Sequence, residues 1–191
     1  MRAHAPRRGR GSRGARRAQA LDFIRNNGLT LDWIIYTHAH PDHVGGAALL
    51  KKATGARVAA HSLALRLMRG PLILLASGLG LFFRATPPDT LVEHDDELPI
   101  GAHALRVLHT PGHTPDGICL LGPGCVFTGD TLIRESVGRS DLPGGSESKL
   151  MHSILHNLMP LEDTAIVYPG HGPATTIGHE RTCNPFIVNS Q

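Results

Sequence analysis

A six-residue segment, HAHPDH, carries four side chains that can bind metal ions. His38 and His40 are two residues apart, so in extended backbone their imidazoles lie on the same side and can bind one ion together. Pro41 suits a helix start, and Asp42 and His43 then point elsewhere, towards a second ion. Imidazole and carboxylate groups are ligands for zinc, iron or manganese. A lone histidine is more often a surface or core residue, but four such groups at a strand–helix junction favour a metal site.

Three further metal-binding side chains follow predicted strands. His113, Asp130 and His171 each come directly after a glycine. Glycine permits the close backbone approach that a crowded ligand cluster needs. Strand ends on a rigid sheet can direct several side chains to one point, so we expect all seven residues in one site. His109, four residues before His113, either supports that ligand or packs on its strand.

The elements that must position these residues are short helices and strands in mixed order, which indicates an α/β fold. Helical spacing is present at residues 18–27, 42–54, 62–68 and 147–159. Ser146 or Ser148 can cap the last of these helices. Runs rich in Val, Ile and Leu predict strands at residues 33–36, 57–60, 104–109, 117–121, 124–128 and 164–168.

Charge divides the chain into two parts. Residues 1–17 hold seven arginines and no acid, whereas the rest has twelve basic and sixteen acidic side chains, a net charge of −4. We predict a disordered head at residues 1–17 and one domain at residues 18–191. The head is either an RNA-binding arm or a mis-assigned start, and we favour the second. The acidic body is not expected to bind nucleic acid.

The remaining composition indicates a cytoplasmic protein. The longest uncharged stretch, residues 70–83, is too short to span a membrane and is predicted to be a core or lid segment. Within this stretch, residues 72–83 could form an apolar wall of a substrate cleft or pack in the core, and we favour the core. No apolar segment of the kind found in secretory signals follows the arginines. Three cysteines are too few for a disulfide framework, and Cys119 and Cys125 are predicted to be buried.

Four separated motifs together resemble the metallo-β-lactamase superfamily: HAHPDH, PGH ending at His113, TGD ending at Asp130 and PGH ending at His171. FTGDTLIRESVGRSDLPGGS and YPGHGPATTIGHERTCNPF look like the short glyoxalase II-like hydrolases, relatives of hydroxyacylglutathione hydrolase without its helical C-terminal domain. The resemblance implies an αββα sandwich. Residues 1–17 show no pattern of the strands that the family places before its first helix. We therefore expect a sandwich incomplete at its N-terminus, with an exposed edge and apolar surface.

The resemblance also implies a role for each candidate ligand. One metal ion would be bound by His38, His40 and His113, a second by Asp42, His43 and His171, and Asp130 would bridge them. The expected cofactors are two divalent ions, zinc first, with iron or manganese as alternatives. They would provide a metal-bound hydroxide at neutral pH that attacks a thioester such as S-lactoylglutathione. Asp42 and Asp130 are the predicted catalytic residues, and Arg139 either anchors a substrate carboxylate or pairs with Asp141.

Other functions stay open at this point. An iron-dependent persulfide dioxygenase-like enzyme would use His38, His113 and Asp130 as a facial triad. β-Lactam or phosphoester hydrolysis is compatible with the fold, since a fold does not determine a substrate. A truncated, non-catalytic metal-binding remnant is the third alternative. The expected partner is a small-molecule thioester, with neither nucleic acid nor membrane, and the sequence does not determine the oligomeric state.

Overall fold

Two β-sheets face each other between two layers of helices in residues 13–69 and 85–190, the part of the chain that the computed structural model describes. The helices are α1 (Arg13–Asn26), α2 (Pro41–Val44), α3 (Ala47–Thr54), α4 (Ala64–Met68), α5 (Glu147–Ser153), which continues as a π-helical stretch (Ile154–Leu158), α6 (Ile177–Cys183) and α7 (Pro185–Val188). The strands are β1 (Trp33–Ile35), β2 (Arg57–His61), β3 (Thr90–Val92), β4 (Glu97–Ile100), β5 (His103–His109), β6 (Ile118–Gly122), β7 (Cys125–Gly129), β8 (Leu132–Ile133), β9 (Ser136–Val137), β10 (Ile166–Pro169) and β11 (Thr175–Thr176). This is the predicted α/β sandwich.

The sheet topology brings several strand ends to one edge. The first sheet is parallel, in the order β1-β2-β3, and the second has the order β11-β10-β7-β6-β5-β4. Strands β8 and β9 form a separate antiparallel hairpin. Strands β5 and β7 both run antiparallel to β6, and β10 runs parallel to β7, so β5, β7 and β10 end on the same side. The Ile118 N–H donates to the Thr37 carbonyl at 2.8 Å, which brings the end of β1 to that edge as well.

Three apolar clusters hold the layers together. Helices α2 to α4 pack on the outer face of the first sheet, around Tyr36, Val44 and Val58. The two sheets meet through Ala59, Val92, Leu98, Val107, Ile118 and Leu120. Helices α5 to α7 cover the other face of the second sheet, with Val126, Leu150, Ile154, Leu158, Ile177 and Ile187 at the centre. Burial of this apolar area is the main favourable term in forming the sandwich.

The inner face of the second sheet is only partly covered. Phe127 pairs in register with Leu120, so both lie on the face towards the first sheet. Leu120 is buried there, but Phe127, Ile166 and Tyr168 are about two-fifths exposed, at 39%, 40% and 41%. The rings of Phe127 and Tyr168 stack with centroids 5.3 Å apart. Within the described residues, β1 also has one edge without a neighbouring strand.

Three predicted segments differ in detail from the structure. The helix expected at 42–54 is divided into α2 and α3 at Gly45 and Gly46, because glycine weakens a helix interior. The helix expected at 147–159 turns π-helical at Ile154, and Ser146 is its cap, since the side chain accepts the Lys149 N–H. Helix α1 begins at Arg13, so residues 13–17 of the head predicted to be disordered are helical, and residues 1–12 lie outside the described part.

Several short elements were not predicted. Strands β3, β4, β8, β9 and β11 have two to four residues and helices α6 and α7 have seven and four, too few for a clear periodic pattern. Strand β4 contains Pro99 and lies at the edge of its sheet, where a missing N–H is tolerated.

The remaining predictions about the chain have mixed outcomes. The predicted core or lid segment, residues 70–83, lies outside the described part. None of the described helices combines the length and the apolar character needed to cross a bilayer. All three cysteines are free thiols. Cys119 is buried as predicted, whereas Cys125 is only half-buried because it lies at the start of β7.

Candidate metal centre

All seven predicted ligands come together at the edge where β1, β5, β7 and β10 end. The loop after β1 carries His38 and His40, and Pro41 begins α2, which carries Asp42 and His43. The turns after β5, β7 and β10 carry His113, Asp130 and His171. Their nitrogen and oxygen atoms form groups with mutual distances below 4.8 Å. Rigid strand ends therefore aim these groups at a common centre, as the sequence predicted.

Three imidazoles form the inner half of the centre. His38 Nε2 lies 3.1 Å from His40 Nδ1, and His113 Nε2 lies 3.0 Å from the same atom. His38 and His113 are nearly inaccessible, with 2% and 7% of their surfaces exposed. This half is consequently shielded from bulk water.

The outer half contains the other three ligands. His171 Nε2 lies 3.2 Å from His43 Nε2 and 3.2 Å from Asp42 Oδ2. The side chains of His171 and Asp42 are 55% and 44% exposed. A small molecule can therefore reach the centre from this side.

Asp130 lies between the two halves. Its Oδ1 is 3.4 Å from His43 Nε2, and its Oδ2 is 3.7 Å from His113 Nε2 and 3.5 Å from His171 Nε2. Burial alone would raise its pKa, but the contact with His43 and the nearby imidazoles of His43, His38 and His171 outweigh burial and lower the pKa to about 2. The carboxylate is therefore ionised and can offer one oxygen to each half.

The protonation of the imidazoles suits metal ligands. Burial, followed by the neighbouring imidazoles of His43, His40 and His113, lowers the pKa of His38 to about 2, and burial is also the main cause that lowers the pKa of His40. Both rings are therefore neutral at physiological pH. A neutral imidazole has one nitrogen lone pair, which is the form that binds a metal ion.

Several contacts in the centre fit a bound cation better than hydrogen bonds. The Nδ1 of His113 lies 2.7 Å from the Arg139 carbonyl oxygen, which can only accept, so Nδ1 carries a proton and the free lone pair of the neutral ring is on Nε2. That lone pair points into the group of nitrogens around His40. Asp130 Oδ1 is buried without a hydrogen-bond partner among the described residues. Converging lone pairs and an unpaired anionic oxygen are the donor set that divalent cations satisfy.

Two glycines allow this density of ligands. A Cβ at Gly170 would lie 2.4 Å from Asp130 Oδ1 and 2.6 Å from His43 Cε1. A Cβ at Gly138 would lie 1.8 Å from the Asp130 carbonyl oxygen and 3.0 Å from His113 Nδ1. The close backbone approach that the sequence suggested for Gly170 is therefore confirmed. Gly138 was missed, because it is eight residues beyond the ligand that it touches.

The structure separates the alternatives for Arg139 and His109. The Arg139 guanidinium donates two 2.9 Å hydrogen bonds to Asp141, and both side chains are about two-thirds exposed. Its backbone carbonyl, which no sequence pattern marked, is the group that contacts the centre through His113. His109 Nε2 lies 3.0 Å from the Pro115 carbonyl, and its ring stacks on His61. His109 thus supports the turn that carries His113.

Comparisons with known proteins match the superfamily that the sequence motifs resemble. The profile of the metallo-β-lactamase superfamily matches residues 9–171. Hydroxyacylglutathione hydrolase GloC from Haemophilus influenzae is 35% identical over 178 residues, which cover 91% of this chain and 84% of GloC. The solved B3 metallo-β-lactamase BLEG-1 has a TM-score of 0.82 at 34% identity and covers 90% of this chain and 84% of its own. TTHA1623, solved in a di-iron-bound form, has a TM-score of 0.76 at 38% identity, with coverages of 88% and 83%.

Proposed function

Because the chain belongs to the metallo-β-lactamase superfamily, we propose that it is a dinuclear metal-dependent hydrolase that acts on a small thioester of the S-lactoylglutathione type. One observation carries the proposal: two groups of three ligands, His38, His40 and His113 and then Asp42, His43 and His171, lie on either side of the single carboxylate of Asp130. Paired ions about 3.5–4 Å apart are typical of such sites.

The ligand chemistry fits two divalent cations, with zinc as the first expectation and iron or manganese as alternatives. When bound, two such ions would supply Lewis acidity and would lower the pKa of water in the centre. The di-iron form of TTHA1623 keeps iron among the metals to be tested. Neutral His38 and His40 and an ionised Asp130 are already in the states that metal binding requires.

The protein's own residues then position the reactants. Asp130 holds the two halves at a set separation, and the Arg139 carbonyl keeps His113 in one tautomer. Asp42 is half-exposed beside His171, where its carboxylate can accept a hydrogen bond from the attacking water and orient it. The inner half excludes bulk water because His38 and His113 are buried. Low local dielectric strengthens every electrostatic contact with the developing oxyanion.

A thioester is the favoured substrate for a chemical reason. Its leaving group is a thiolate, whose conjugate acid has a pKa of about 8.5, so departure requires little proton donation. The ionisable groups in the described centre are the proposed ligands themselves, which leaves none of them free as a dedicated general acid. The similarity to hydroxyacylglutathione hydrolase GloC supports the same class. We further propose a cytoplasmic location, where such thiols are reduced.

The test combines metal analysis with an assay. The protein is loaded in turn with zinc, iron or manganese, and thiol release from S-lactoylglutathione is followed. We expect about two ions per chain and thiol release in at least one metal form. Asp130→Ala and Asp130→Asn should abolish release, whereas Asp95→Asn, an exposed carboxylate paired with Arg106, is the matched control.

Other results would identify other functions. A folded, metal-loaded protein that releases no thiol contradicts the proposed substrate. One iron per chain with oxygen uptake would instead support a persulfide dioxygenase-like enzyme. Hydrolysis of a chromogenic β-lactam would place the chain with BLEG-1 in activity. Absence of bound metal would support a non-catalytic remnant, and unchanged activity in the Asp130 variants would exclude the bridging role.

A further inference from the structure

A buried carboxylate lies outside the metal centre, on helix α6. Glu180 is fully buried, with 0% of its surface exposed. Its Oε1 accepts the Thr175 hydroxyl at 2.7 Å, and its Oε2 accepts the Glu135 N–H at 2.9 Å and the Asn184 side-chain amide at 2.8 Å. Burying a charge is costly unless it is fully hydrogen-bonded. Three donors from three different segments meet that requirement.

The same group holds the tip of the β8–β9 hairpin. Asn184, four residues after Glu180 and also fully buried, donates to the Ser136 carbonyl at 3.0 Å. Glu135, at the tip, has a φ of 54°, a left-handed conformation that residues other than glycine adopt at an energetic cost. The tip therefore depends on bonds from outside the hairpin, and Glu180 and Asn184 provide two of them.

The hairpin connects directly to the metal centre at both ends. Asp130 lies two residues before β8, and Gly138 and Arg139 immediately follow β9. The Arg139 carbonyl accepts the Nδ1 proton of His113, and Gly138 packs against the Asp130 carbonyl and His113. A displacement of the hairpin would consequently move the bridging carboxylate and release the tautomer of one imidazole ligand.

From these contacts we propose that Glu180, with Asn184, is a positioning residue of the metal centre, acting through the β8–β9 hairpin on His113 and Asp130. The inference rests on the dinuclear site proposed above. Glu180 touches neither ligand, so it acts by holding the Arg139 carbonyl where that oxygen accepts the Nδ1–H of His113 at 2.7 Å and orients the ring. Groups that orient a histidine ligand typically change metal affinity by about 10–100-fold when they are removed.

Three full-chain variants test this role. Glu180→Ala removes the bonds to the hairpin. Glu180→Gln can keep them, because the amide oxygen can accept from Glu135 while its NH₂ donates to Thr175. Arg181→Met is the matched control on the same helix, since Arg181 binds Asp163 and the carbonyls of Met159 and Leu161 rather than the hairpin.

The readouts are zinc affinity, measured by competition with a chromophoric chelator, and the tautomer of His113 in the metal-free protein, measured from imidazole ¹⁵N shifts. Glu180→Ala should weaken zinc binding by about tenfold, the lower end for removed supporting groups. The same variant should also lose the Nδ1–H tautomer. Glu180→Gln should stay near wild type, and Arg181→Met should lower the melting temperature while leaving both readouts unchanged.

Two results would overturn the inference: equal loss of zinc affinity in Glu180→Ala and Arg181→Met, or unchanged affinity and tautomer in Glu180→Ala. Where Glu180→Ala does not fold, Glu180→Asp replaces it, because a carboxylate one methylene shorter keeps the charge but withdraws from Glu135. The tautomer is read without metal or substrate. Absence of thioester hydrolysis would therefore contradict the proposed function and leave this inference to be decided separately.

Discussion

Replacing Gly170 by alanine tests whether ligand crowding sets the geometry of the metal centre. The added Cβ would lie 2.4 Å from Asp130 Oδ1 and 2.6 Å from His43 Cε1. Ordinary contacts between such atoms are about 3.4–4 Å, so one or both ligands must retreat by about 1 Å. Gly170 does not have a positive φ, so backbone strain is not the expected cost.

The expected loss follows from the tolerance of metal coordination. Ligand distances hold within about 0.2 Å, so a displacement of about 1 Å removes Asp130 or His43 from effective binding. Misplacement by about 1 Å can lower a rate by about 100-fold, which corresponds to about 2.7 kcal/mol of transition-state stabilisation. We expect Gly170→Ala to bind fewer than two ions after dialysis and to lose about 100-fold in kcat/KM for S-lactoylglutathione.

Gly172→Ala is the matched control for this prediction. Gly172 has a φ of +82°, and a Cβ there would meet Ile133 Cγ2 at 3.8 Å, an ordinary contact. This variant should lose stability by roughly 1–2 kcal/mol through its left-handed backbone but keep both ions. Metal content by mass spectrometry, kcat/KM and the melting temperature of the metal-free protein separate the two effects. A folded Gly170→Ala protein with two ions and wild-type kcat/KM would refute the reasoning.

Three further predictions concern a change of pH, the removal of metal and the replacement of an exposed apolar patch. Lowering the pH from 6.5 to 4.5 should destabilise the metal-free protein. The unfolded chain takes up a proton at His38 in this range, whereas in the folded state His38 has a pKa of about 2 and stays unprotonated. This proton contributes up to about 1.4 kcal/mol per pH unit to the free energy of unfolding. Measured by denaturant titration, that free energy should therefore fall less steeply with decreasing pH in His38→Asn than in the wild type. An equal dependence on pH would contradict the lowered pKa of His38. Removing metal with a chelator should lower the melting temperature, since ions at 100 times their dissociation constant stabilise the folded state by about 2.7 kcal/mol. In Asp130→Asn, the difference in melting temperature with and without metal should be smaller. An equal difference in this variant would argue against a bridging role for Asp130. Joint replacement of Phe127 and Tyr168 by threonine should reduce self-association in light scattering without changing metal content, whereas Val126→Thr, on the buried face of the same strand, should instead lower the free energy of unfolding. Unaltered scattering in the double variant would show that the apolar patch does not drive association.

The sequence alone predicted most of the centre because its information is local. Two histidines at spacing two followed by Pro41 determine a shared orientation and a helix start, whatever the rest of the chain does. A glycine directly before Asp130 or His171 likewise permits close approach within one turn. Helical and strand periodicity identified the longer elements and the α/β class.

Contacts between distant segments were beyond those patterns. The pairing of β7 with β10 joins segments about forty residues apart, and the β8–β9 hairpin is held by Glu180 and Asn184, more than forty residues further on. The role of the Arg139 carbonyl illustrates this well. The sequence marked the Arg139 side chain as a possible substrate anchor. In the structure that side chain is hydrogen-bonded to Asp141, and it is the backbone carbonyl that contacts His113. Every residue has a carbonyl, so no residue type can mark the one that matters.

What the sequence determined by itself, then, is which atoms can bind metal and in what order they occur along the chain. The resemblance of its motifs to a known family implied how they divide around Asp130, and only the tertiary structure decided the distances between them and which surrounding residues hold them. The physical reason is that ligand chemistry belongs to single side chains, whereas their distances depend on turns that residues as remote as Glu180 keep in place. Those distances are set by the packed fold as a whole.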